Sequence, residues 1–242
     1  RSLGPWKDYV VVGGGYALII YKLYLDNPNQ GNPPVGTRDL DSLIPRKLSE
    51  VSKKNIGEHL KEAGFVPFFK DYGNPATEAY VKEINGSEVE IEFLTDDSSR
   101  LHKEKNIVVS GVIAQPLTYL KMSLENTILF KTFSGEQGKV VSPSAWIFHK
   151  GLTFPKRANG SKVYKDLYGV WYAGSQLDNL SADAINEIKL KAKQHPKWYQ
   201  TFRENLHQWI EEATPADWTK LETQDPYGEL KKPGFIQLIS LL

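Results

Sequence analysis

Within Gly36–Ile44, Thr37, Asp39 and Asp41 fall on every second residue. On a strand, positions i, i+2 and i+4 project from one face. Two neighbouring carboxylates repel each other, and a cation between them removes that cost. Oxygen-only ligands with open positions suit Mg²⁺. A second acidic row lies in Ser87–Leu94, where Val89, Ile91 and Phe93 alternate with Glu88, Glu90 and Glu92. That pattern predicts a strand with one apolar and one acidic face. The acidic face is either solvated or the source of a third carboxylate beside Asp39 and Asp41.

The elements that must position these groups are legible on either side. Tyr9–Val12 predicts a buried strand that runs into Gly13-Gly14-Gly15, and Tyr16–Leu25 predicts a largely buried helix. A turn-rich loop over 26–36 then leads to the acidic strand. Strand, glycine turn, helix and a later acid also describe a dinucleotide-binding unit, which Gly13-x-Gly15-x-x-Leu18 matches except at its last glycine. That unit uses a single acid, whereas two occur here on one face. A third reading makes Asp39 and Asp41 the solvent face of an edge strand.

A glycine pair that opens a helix, followed by T-x-D-x-D on the next strand, resembles the nucleotidyltransferase fold shared with DNA polymerase beta. The closer likeness is to the minimal bacterial nucleotidyltransferases grouped with AbiEii- and MenT-type toxins. The resemblance implies an α/β (α+β) fold, a mixed sheet flanked by helices and followed by a helical C-terminal part. It also implies transfer of a nucleotide from a nucleoside triphosphate, with Mg²⁺, as one ion or two, on Asp39 and Asp41. Glu92 in Ile91-Glu92-Phe93-Leu94-Thr95 stands where the family often has aspartate, and completes the metal set. Gly13, Gly14 and Gly15, with Thr37 and Arg38, fall on the nucleotide-binding turn and strand. Gly14 replaces a frequent serine, which leaves only backbone contacts there, and the 26–36 loop is longer than usual. The family's second signature matches Lys150 in an apolar helix, Arg157 about two turns later, and Lys165 directly before Asp166. By that likeness Lys150 is catalytic and Lys150, Arg157, Lys165 and Asp166 bind nucleotide. A lysine and an arginine neutralise phosphate charge, the arginine in bidentate fashion. Asp166 either orients Lys150 or Arg157, or forms a structural salt bridge between two helices. His149 reads as a packed side chain.

At 242 residues with a net charge of +1, the chain can bury a core and carries no global basic signature. It has no cysteine, hence no disulfide framework or thiolate metal site. No apolar run reaches membrane-spanning length and no signal peptide opens the chain, so the expectation is a cytoplasmic protein without membrane contact. Further elements expected are a helix within Arg46–Gly64, strands at 79–84, 87–94 and 107–109, a polar loop over 96–106, a helix entry at 113–120, strands at 127–130 and 138–142, and helices from Ser144 onward. The expected division is a nucleotidyltransferase core over 1–142 and a helical domain over 143–242. Acceptor candidates are tRNA or another RNA, or a protein, and an antitoxin is a candidate partner. Lys189, Lys191, Lys193 and Lys197, with Trp198, Tyr199 and Arg203, form either an RNA-facing patch or a solvated helix face. The alternatives in function are a catalytically inactive nucleotide-binding or interaction protein of the same fold, and a dinucleotide-dependent oxidoreductase.

Overall fold

The computed structural model describes residues 2–73, 75–97, 105–158 and 160–242. Two compact units emerge: residues 1–17 with 36–141, and residues 18–35 with 142–242.

The first unit is built on a mixed sheet, which has nine strands among the described residues. β1 (Val11–Val12) leads into α1 (Gly14–Ile20), and β2 (Asp39–Leu43) pairs back antiparallel to β1. α2 (Ile56–Glu62) precedes β3 (Val66–Phe69), β4 (Glu78–Ile84) and β5 (Ser87–Asp96). β6 (Ile107–Val109), β7 (Val112–Leu117), α3 (Leu120–Glu125), β8 (Thr127–Lys131) and β9 (Gln137–Val141) complete it. The main strand order is β3-β4-β5-β2-β1-β9-β8, and β7, carrying β6, pairs with the upper part of β5. β5 therefore has three partners: it is parallel to β2 on one side and, along the other, antiparallel to β4 and then parallel to β7.

One face of this sheet makes the core. Tyr80, Ile91 and Phe93 pack with Trp6, Val10, Ile44, Ile56, Leu60, Phe65, Val109, Val112 and Ala114, and Leu40 joins them at the edge. Strand alternation sends the intervening residues to the other face. The N-terminal lead-in is not loose, because Pro5 opens a short 3-10 turn over Gly4–Tyr9 that buries Trp6, whose indole donates to the Lys54 carbonyl at 2.8 Å.

Several local expectations change. The strand expected over 9–12 shrinks to two residues because the 3-10 turn holds Tyr9. The helix expected within Arg46–Gly64 covers only Ile56–Glu62, started by a capping box between Asn55 and Glu58. Residues 113–120 are mostly strand β7 rather than a helix entry. Ser110 and Gly111, at φ +45° and +82°, form a two-residue hairpin turn that folds Val112–Ala114 back on β6. Pro116 lies beyond the last β6 pair, where its missing N–H breaks no bond on that side. Asn85-Gly86 forms the expected hairpin turn at φ +52° and +75°. The expected polar loop over 96–106 lies largely outside the described residues.

The second unit is helical: α4 (Pro143–Thr153), α5 (Gly160–Ser175), α6 (Asp178–Gln194), α7 (Pro196–Glu212), α8 (Pro215–Glu222) and α9 (Lys232–Leu241). Two glycines let the helices approach closely. A methyl on Gly169 would lie 2.2 Å from the Trp146 ring, and one on Gly151 would lie 2.4 Å from Phe202. The helix expected to end at Leu25 closes as a π-helix over Tyr21–Leu25. The following loop is pinned to α5: Tyr172 Oη donates to the Asn32 carbonyl at 2.7 Å, and Val35 N–H donates to Tyr168 Oη at 3.1 Å. The apolar C-terminus is buried through Phe235, Leu238, Ile239 and Leu242. Lys191 is also buried, so the expected basic patch retains Lys189, Lys193, Lys197 and Arg203 as exposed cations but loses one member. Among the described residues no helix is long and apolar enough to cross a membrane.

Candidate active site

Parallel pairing of β2 with β5 sets Asp39 opposite Glu90 and Asp41 opposite Glu92. All four carboxylates therefore share the face turned away from the core. The same row continues across β4 and β3, where Ala79 lies opposite Glu92 and Phe68 opposite Ala79. Asp39 is exposed and Asp41 half-buried, while the side chains of Glu90 and Glu92 are 17% and 16% exposed.

The glycine turn is pressed against β2. Gly13 N–H donates to the Asp41 carbonyl at 2.8 Å. Gly14 has φ +54°, and a methyl there would sit 1.9 Å from Asp41 Oδ2. A methyl on Gly15 would lie 2.8 Å from Thr37 Cγ2. Both the backbone conformation and the approach of Asp41 thus favour glycine at 14. Thr37 precedes the strand rather than lying on it, and Arg38 is exposed at its entry. The expected three-residue face is therefore two strand aspartates plus a threonine delivered by the loop.

Lys70 is a residue that the sequence reading missed. It follows β3 directly, and its amide donates to the Thr77 carbonyl at 2.8 Å, which extends the β3–β4 pairing by one step. Its side chain lies on the acidic face, where Ala79 is too short to block it, and its ammonium pairs with both Glu90 and Glu92. Burial opposes the Lys70 charge, but the hydrogen bonds and charges of the two glutamates outweigh it and push its pKa up to about 12. Burial raises the Glu92 carboxyl above its ordinary value. Lys70 pulls it down, and the charges of Asp41 and Glu90 push it further up. No local pattern marks Lys70, because its partners lie two strands away.

Lys150, Arg157 and Asp166 form a cluster within the second unit. Asp166 on α5 is 8% exposed and receives one cation on each oxygen: Lys150 Nζ at 2.7 Å from Oδ1 and Arg157 Nε at 2.7 Å from Oδ2. Burial alone would raise the Asp166 pKa, but the charges and hydrogen bonds of Lys150 and Arg157 hold it below the ordinary carboxylate value. Lys150 also lies over the Trp146 ring, 5.4 Å from its centre. Lys165 is exposed, one residue around the helix from Asp166.

As the side chains stand, no three His, Cys, Asp or Glu groups among the described residues are arranged to hold a metal ion. The donor chemistry still fits a hard divalent cation: every candidate ligand on the face is a carboxylate oxygen, and Asp41 and Glu92 are direct cross-strand neighbours. The antiparallel pairing of β1 with β2 is incompatible with a dinucleotide-binding unit, which joins parallel strands through its helix.

The first unit thus sets two acidic strands side by side on a mixed sheet, against a glycine turn. The family model described as nucleotidyltransferase matches residues 1–172, and the chain belongs to that family. No curated protein matches it by sequence. Among solved structures, it is similar to an antigenic nucleotidyltransferase-like protein from Paracoccidioides brasiliensis at 14% identity and a TM-score of 0.42, covering 80% of this chain and 84% of that one. It is also similar to JHP933 from Helicobacter pylori at 12% identity and a TM-score of 0.43, covering 97% and 82% respectively.

Proposed function

We propose that this nucleotidyltransferase transfers a nucleoside monophosphate from a nucleoside triphosphate to an acceptor hydroxyl, with Mg²⁺ held by Asp39, Asp41 and Glu92. The observation that carries this reading is the β2–β5 register, which sets Glu92 opposite Asp41. Residues two apart on a strand are separated by about 6.6 Å, and neighbouring strands by about 4.8 Å. Carboxylates at those spacings are within side-chain reach of one small ion. Bound there, Mg²⁺ would neutralise triphosphate charge and favour ionisation of the acceptor hydroxyl.

The chain's own contribution is placement. The aspartates stand on a sheet whose opposite face is packed core, so their backbone positions are fixed before substrate arrives. Gly14, having no side chain, leaves the Asp41 carboxylate the space it occupies beside the turn. The catalytic work is positioning and charge stabilisation rather than covalent chemistry.

Asp39→Asn and Asp41→Asn should each abolish transfer of label from an α-labelled nucleoside triphosphate while circular dichroism stays unchanged. Wild-type labelling by both variants would refute the reading. We take an RNA end or a protein hydroxyl as the proposed acceptor, a choice that rests on the resemblance of the sequence motifs to AbiEii-type toxins. Mass spectrometry of RNA and protein after incubation with all four triphosphates distinguishes the two.

A further inference from the structure

Lys70 places a positive charge on the face where the metal is proposed to bind. Its ammonium pairs with Glu90 and Glu92, and Glu92 is also the cross-strand neighbour of Asp41. One carboxylate thus has two prospective cations. Its orientation toward Lys70 agrees with the absence, among the described residues, of a ready three-ligand group.

We propose that Lys70 is a built-in competitor for the metal: it holds Glu92 when the site is empty of divalent cation and must release it for Glu92 to become a ligand. This rests on reading the acidic face as the metal site.

The local construction suits such an exchange. The Lys70 backbone is anchored by its bond to Thr77, and the loop that follows is tied by Asp71 Oδ1, which accepts from Gly73 and Thr77 N–H at 2.8 and 3.0 Å. The ammonium, by contrast, sits at the end of a flexible four-carbon stem. Release needs only side-chain rotation, and Glu90 remains to hold the displaced charge. The small Ala79 leaves the space in which that stem moves. Lys70 thereby sets how much divalent cation the empty enzyme binds, and the cost is lowest while the ammonium keeps one of its two partners.

The test is Mn²⁺ binding to the full chain without nucleotide, followed by the loss of the free-ion electron paramagnetic resonance signal. Lys70→Gln and Lys70→Met should bind Mn²⁺ roughly two- to fivefold more tightly than wild type, the size expected from loss of one partly exposed competing ion pair. Lys70→Arg, which keeps the charge, should stay near wild type. The gain should vanish when Asp41→Asn is added. Using two neutral variants, each checked by thermal melting, guards against a single misfolded protein. Unchanged or weaker binding in both, with wild-type binding that still depends on Asp41, overturns the competition and leaves the metal site standing. Failure of every variant to bind Mn²⁺ also overturns it, and the labelling assay then judges the transferase reading by itself. Binding that ignores Asp41 overturns both.

Discussion

Gly14→Ala isolates the contact between the glycine turn and the acidic strand. Gly14 has φ +54°, where alanine costs roughly 1–2 kcal/mol more than glycine. The added methyl would sit 1.9 Å from Asp41 Oδ2, a separation that non-bonded atoms do not adopt, so the carboxylate must retreat by more than about 1 Å. Asp41 is half-buried rather than fully enclosed, so the stability loss should stay at about 1–2 kcal/mol, a fall in Tm of roughly 2–8 °C. The functional loss should be larger, because displacement of a positioning group by about 1 Å can cost on the order of 100-fold. The assay is kcat/KM for label transfer, with Tm measured on the same preparation. Gly36→Ala is the control, since a methyl there meets nothing within 4 Å. Transfer by Gly14→Ala within about twofold of wild type would refute the argument, because the turn could then not be pressing on a metal-binding carboxylate.

Glu92→Gln should abolish transfer without destabilising the protein. The folded state raises the Glu92 pKa, so wild-type stability falls as pH rises through that raised value, and the neutral amide removes this slope. At pH 7 the variant should be equal to wild type or about 0.5–1 kcal/mol more stable in urea titration, and a loss above about 1 kcal/mol would contradict the account. Asp166→Asn should do the reverse and cost about 3 kcal/mol at pH 7, since it leaves Lys150 and Arg157 without a counter-ion; the partial exposure of Arg157 sets this at the low end of buried pairs. The Asp166 pKa is depressed, so its contribution is present above the unfolded carboxylate value of 3.8 and is lost as pH falls through the folded value. The stability gap between the two proteins should therefore close only in acid, which parallel urea titrations from pH 7 downward would show.

Much of this arrangement is written in short range. The alternation in Ser87–Leu94 defines β5 and sends Glu88, Glu90 and Glu92 to one face, Asn85-Gly86 defines its hairpin, and the apolar run from Ser144 marks α4, which starts one residue earlier at Pro143. Local signals mislead where they have two meanings. Pro116 suits a helix entry, but Ser110-Gly111 folds that segment into a hairpin, and the polar run before Asn55 suits a helix, but the capping box begins only at Asn55.

The sequence by itself determined which residues carry charge, which strand faces they occupy and where the glycine turn falls, because those properties depend on periods of a few residues. It did not determine that Glu92 stands opposite Asp41, that Lys70 reaches over Ala79 to both glutamates, or that Asp166 takes Lys150 and Arg157 together. Each of these depends on register and packing between segments distant along the chain. A one-residue slip of β2 against β5 would leave every local pattern intact and turn opposite faces of the two strands together. Only burial of the apolar face, through Leu40, Ile91 and Tyr80, fixes that register and brings the acids side by side.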